Sequence, residues 1–167
     1  MLRLFLFGMI ACGLAGYSRS QSPSTACPLP AEPAAIPAAI DTAISGDADK
    51  DRSCMKELFT SEARLVAVDS AADHAASYTV LSVDEWISRA KQHGHALLEE
   101  NQVKVDAQRF GRIAHLWSTY VLRIDGKQVA SGINSIQAIK VTGGWRVLGI
   151  LWQAESAAMP LPKAFLP

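Results

Sequence analysis

Residues 109–155 (RFGRIAHLWSTYVLRIDGKQVASGINSIQAIKVTGGWRVLGILWQAE) constrain the fold more than any other part of the chain. Three long runs rich in β-branched and aromatic residues are separated by Asp125-Gly126 and by Thr142-Gly143-Gly144. Asp-Gly between two such runs is a strong hairpin signal, because both central residues of the favoured turn need a positive φ. A fourth run at 102–110 alternates Val103, Val105 and Ala107 with polar residues, and Gly111 marks the turn that follows it. The expectation is an antiparallel meander of four strands.

The preceding part has a helical period. Ile40 and Ile44 recur at i, i+4 in a short helix over 38–45, and Asp49 is placed to cap a second helix over 50–59. Residues 64–68 (RLVAV) read as a strand and 70–76 as a loop. Ser82 and Glu85 form an S-x-x-E capping box, with Leu81 stapling onto Trp86. Helices first and a meander afterwards make an α+β pattern rather than α/β alternation.

The two ends read differently. Arg3 followed by an apolar run over 4–11 has signal-peptide dimensions, too short to span a bilayer. Residues 1–20 are therefore expected to be a signal peptide, and the chain periplasmic or secreted. Cys12 in MIAC offers the alternative of a lipid anchor, the one route by which a membrane would be a partner. Residues 21–36 are proline-rich and read as an extended linker, and residues 156–167 as a tail on the surface. Loss of Cys12 with the signal would leave Cys27 and Cys54 as a candidate disulfide in an oxidising compartment, two unrelated thiols being the alternative. The formal net charge is zero with no basic block, which argues against a nucleic-acid partner. His74, His93 and His95 lack a third ligand at metal spacing and read as solvent-facing, so no metal and no cofactor is expected.

Three features together, DKDRSCMKELFTSEARLVAV, the capped helix at Ser82 and the run from Gly111 to a closing W-x-x-E, resemble the nuclear transport factor 2-like superfamily, its SnoaL-like members in particular. The resemblance covers roughly residues 37–155. It implies a cone-shaped roll, a strongly bent antiparallel sheet wrapped around helices with a pocket at the open end. It also implies a homodimer through the outer face of the sheet. Isomerases, cyclases, dehydratases and non-catalytic proteins all share this fold, so it leaves open whether the chain is an enzyme.

Counting residues from the Asp125-Gly126 turn sets Trp117 opposite Asn134, and a Thr142-Gly143-Gly144 turn that pairs Val141 with Trp145 sets Asn134 opposite Trp152. On that register His115, Trp117, Thr119, Asn134 and Trp152 share the interior face. They suit a pocket for a small apolar ligand, with His115 as the candidate acid/base and Trp86 as a further lining residue. Catalytic members of the superfamily place an Asp, often with a Tyr or second acid, inside the cone. The strands over 112–154 carry no acid except the turn residue Asp125, and Glu99-Glu100 reads as a solvated turn. The leading expectation is therefore binding without evident catalysis. The alternatives are an isomerase, cyclase or dehydratase using His115, and a structural module whose cone is filled by its own side chains.

Overall fold

The computed structural model describes residues 27–69, 77–94 and 96–166. The signal segment, Cys12, the 70–76 loop with His74, and His95 lie outside these residues. Three helices, α1 (Ile36–Ile44), α2 (Ser53–Leu58) and α3 (Val83–Ala90), precede or interrupt strands β1 (Phe59–Val68), β2 (Tyr78–Leu81), β3 (Leu98–Phe110), β4 (Ile113–Ile124), β5 (Lys127–Val141) and β6 (Gly144–Ala154). One six-stranded sheet runs in the order β2-β1-β6-β5-β4-β3. The predicted meander β3–β6 is antiparallel throughout, whereas β1 pairs with β6 in parallel. The sheet bends around the helices, and the α+β cone is the observed architecture.

Ile36, Ile40 and Ile44 follow the helical stripe of α1 and are all buried. They pack on the sheet's inner face with Leu116, Ile136, Val147 and Trp145. Arg52 closes the C-terminal end of α1. Its buried guanidinium donates from Nε to Ile44 O at 2.9 Å, a carbonyl the helix leaves orphaned, and from Nη2 to Gly46 O at 3.1 Å, which also accepts the Leu98 N–H. The second helix begins at Ser53, not after Asp49, because the Asp51 carboxylate takes the Ser53 N–H at 2.8 Å.

The capping box is present in full. Ser82 N–H donates to Glu85 Oε2 at 2.7 Å and Glu85 N–H donates to Ser82 Oγ at 3.2 Å. Because the box satisfies N–H groups that the first turn of α3 leaves free, Ser82→Ala is expected to cost about 1 kcal/mol of stability. A urea denaturation series checks this, and an unchanged midpoint would mean that packing alone holds α3.

The N-terminal arm is part of the fold. The expected linker is packed from Cys27 onward, where a disulfide to Cys54 ties it to α2 with Cα atoms 5.4 Å apart. Pro30 O accepts the Trp145 N–H at 2.9 Å, and Lys140 Nζ donates to Ala31 O at 2.9 Å. A Cβ on Gly144 would stand 2.4 Å from the Leu29 side chain, so the arm lies this close only because residue 144 has none. The C-terminal tail crosses the outer face of the sheet as a strap. Thr119 Oγ1 donates to Phe165 O at 2.6 Å, Lys104 Nζ donates to Leu166 O at 3.2 Å, and Phe165 packs on Trp117 with ring centroids 6.0 Å apart.

Candidate functional site

Which side chains of the β3–β6 meander enter the cone depends on three bulges. The Asp125-Gly126 turn has positive φ at both residues, 51° and 75°, and pairs Ile124 with Lys127 as predicted. The register then slips between Leu122 and Arg123, because Val129 is an extra residue on β5. Trp117 consequently faces Ser135, His115 faces Gln137, and Asn134 faces Ser118. On the next hairpin the turn closes one residue earlier than predicted, at Val141 and Gly144, and the extra Leu148 on β6 restores the expected pairing of Asn134 with Trp152. A third bulge places Val103 as an extra residue on β3. All three extra residues are exposed valine or leucine.

Because side chains alternate faces along a strand, the slip at Val129 exchanges the two halves of β4 relative to β5. Leu116, Ser118 and Tyr120 point inward with Asn134, Ile136 and Ile150, all buried. The assignment of His115, Trp117 and Thr119 to the cone interior is therefore corrected. His115 is on the outer face, its Nε2 3.2 Å from Ser135 Oγ and its ring edge against Trp117. Thr119 is buried there under the strap by its bond to Phe165 O, and Trp117 remains partly exposed beside it. Asn134, Trp152 and Trp86 do come together around the cavity.

That cavity has a volume of about 260 Å³. Ile40, Ile44, Phe59, Leu81 and Ile150 supply apolar wall, and Trp86 and Trp152 supply indole surface. Its polar end was not foreseen. Glu100, read as part of a solvated turn, sits three residues into β3 and lines the cavity beside Asn134 and Tyr120. The sequence held a signal for it: Leu98, Glu100 and Gln102 alternate, and extending the strand back from 102 to the buried Leu98 turns Glu100 inward.

A network of amides holds the carboxylate. Gln102 Nε2 donates to Glu100 Oε1 at 2.9 Å and to Asp41 Oδ1 at 3.0 Å. Asn134 Nδ2 lies 3.4 Å from Glu100 Oε1 and 3.3 Å from Gln102 Oε1, and Gln102 Oε1 also accepts from Ser118 Oγ. Asp41, one turn before the end of α1, takes the Gln102 N–H at 2.7 Å. Glu100 Oε2 accepts from no donor among the described residues.

Burial and then the neighbouring Asp41 charge push the Glu100 carboxyl up to about 7, against the opposing bonds from Asn134 and Gln102. Burial also raises Asp41 above the usual carboxylate range, its bonds to Gln102 acting the other way. The Tyr120 hydroxyl is pushed up to about 12 by burial and by the charges of Glu100 and Glu155, which keeps it protonated as a donor. At neutral pH this end of the cavity therefore offers a carboxyl in both protonation states, a phenol donor and an amide. The expectation that the interior carries no acid is overturned, because the acid comes from β3, outside the run where it was sought.

No family model matches the chain, and no curated protein matches it. Solved structures do. A nuclear transport factor 2-like protein of unknown function from Shewanella baltica superposes with a TM-score of 0.51 at 14% identity, over 73% of this chain and 90% of its own. Another from Silicibacter pomeroyi gives 0.50 at 16% identity, over 72% and 91%. A cystatin-like-fold protein of unknown function from Nostoc punctiforme gives 0.54 at 11% identity, over 73% and 87%. The chain has the nuclear transport factor 2-like cone fold. At these identities the likeness concerns the fold alone.

Proposed function

We propose that this chain is an exported protein whose cone binds a small, largely apolar molecule bearing one hydrogen-bonding group. One observation carries the reading: an apolar-walled cavity of about 260 Å³ ends on a glutamate whose Oε2 has no donor among the described residues. An apolar cavity of roughly 150 Å³ already accommodates benzene, so this one has room for a molecule of one to two rings. Glu100 is only half-buried, and a ligand hydroxyl entering the cavity would donate to this accessible carboxyl oxygen. Export is supported by the Cys27–Cys54 bridge, since such bonds persist in oxidising compartments. A homodimer through the outer face is supported by exposed Val80, Ile113 and Leu151 on that side.

Naphthalen-2-ol is a suitable probe. Calorimetric titration should give binding that Trp152→Ala abolishes and His115→Ala leaves intact. Absence of binding to the folded wild type, or an equal loss in both variants, would remove the cone as the binding site.

Acid–base turnover, as in an isomerase, cyclase or dehydratase, is a second reading, favoured by the Glu100 carboxyl at about 7 beside a protonated Tyr120. On this reading Glu100, not His115, moves the proton. Turnover of an enone substrate that survives Glu100→Gln would eliminate it.

A further inference from the structure

Only two charged side chains line the cavity among the described residues, and they differ in setting. Glu100 belongs to the buried amide network, while Arg89, in the last turn of α3, is exposed to solvent. The Arg89 guanidinium forms no hydrogen bond or ion pair with any described residue. It acts on the Glu85 carboxylate, one turn earlier, which is occupied by the Ser82 N–H and hydroxyl. The cavity thus carries a carboxyl with two neutral hydrogen-bonding groups beside it and, apart from them, an uncommitted cation, because Arg89 is not among the charges that act on Glu100. Every other lining residue is apolar or indole.

From this polarity we infer that the ligand of the cone is an apolar monocarboxylate with a hydroxyl at its far end, its carboxylate held by Arg89 and its hydroxyl donated to Glu100. The inference rests on the binding function proposed above and adds the chemistry of the ligand's two ends. A guanidinium presents paired donors that match a carboxylate, and such charge-assisted bonds are stronger than neutral ones. The reverse orientation would bring the ligand's anion against Glu100 in surroundings of low polarity, where like charges repel most strongly. A neutral hydroxyl meets no such penalty and completes the empty side of the glutamate. The guanidinium stays in contact with solvent, so its hold on the anion weakens as salt rises.

Three probes separate the two ends: trans-4-hydroxycinnamate, its methyl ester, and cinnamate, which lacks the hydroxyl. Titration calorimetry on the full chain at pH 7 should show the acid binding about tenfold tighter than its ester, in line with a charge-assisted hydrogen bond. Arg89→Gln should erase that difference by weakening the acid and leaving the ester unchanged, and Arg89→Lys should restore part of it. Cinnamate should bind more weakly than the hydroxy acid, and that gap should close in Glu100→Gln. Ester and acid binding equally well, or an acid preference that survives Arg89→Gln, would overturn the assignment of the carboxylate while leaving the cone a binding site. Failure of the acid, the ester and naphthalen-2-ol alike to bind the folded protein would overturn both.

Discussion

Cys54→Ser is expected to lower the stability of the oxidised chain by about 3–4 kcal/mol, the largest effect of any single substitution considered for this protein. The bridge closes a loop with a sequence separation of 27, and the value follows from the chain entropy which that closure removes from the unfolded ensemble. The structure adds a reason for the loss to reach well beyond the cysteines. The arm it tethers caps β6 through Pro30 O on the Trp145 N–H and lies against Gly144. Trp145 is wholly buried, with Arg109 and Lys140 over its ring at 5.3 and 5.6 Å. Freed at Cys27, the arm keeps its bonds to Trp145 and Lys140 but loses the covalent tie that holds it there, and the exposed Arg109–Glu32 pair contributes little in its place. Urea denaturation of wild type, of wild type with reductant, and of Cys54→Ser makes the test. The last two should coincide. A loss under about 1 kcal/mol would mean that the arm docks without its bridge.

Glu100→Gln should remove much of the pH dependence of stability between pH 5 and 8 and leave the variant the more stable protein at pH 8. The folded carboxyl binds its proton up to about 7, against an ordinary value of 4.5. Between those values the folded state holds more protons than the unfolded state, so stability falls as pH rises. The cost of the buried charge is fully present above about 7 and vanishes below the unfolded value. The full shift corresponds to roughly 3 kcal/mol, an upper figure because cavity water can relieve part of it. Asp41 is displaced in the same direction and adds a slope of the same sign. Urea midpoints at pH 5 and pH 8 for both proteins decide the matter. Parallel pH dependences would show that Glu100 is not held in the network as drawn.

Local chemistry accounts for what was legible in the sequence. The Asp125-Gly126 turn, the Ser82–Glu85 box, the α1 isoleucine stripe and the β3–β6 meander each depend on neighbouring residues, and each is found. Of the two readings left open for Cys27 and Cys54, a bridge or unrelated thiols, the bridge is the one found. The strand β2 and its pairing with β1, and the parallel pairing of β1 with β6, depend on distant partners and left no local pattern. The site failed at two points for two reasons. A bulge cannot be read from a sheet whose two faces are both apolar, because His115 and Trp117 look as suitable for the interior as Leu116 and Tyr120. Glu100 was missed because adjacent glutamates favour solvent, and only the amides of Gln102 and Asn134, brought from two strands, make its inward turn tolerable. Asn134 and Trp152 were placed correctly through two errors that cancel, a turn misjudged by one residue and the Leu148 insertion.

The insertions have a consequence for comparing this chain with other cones. Val129 and Leu148 each change the parity of everything downstream on their hairpin, so a single unpaired residue decides which half of the side chains enters the cone. An alignment anchored on the turns alone would transfer a neighbour's site onto the outer half of β4. A graft of functional residues would fail in the same way, delivering every group to the wrong side of a correctly folded sheet. Bulge positions, together with the turns, are the coordinates in which sites on this fold can be matched.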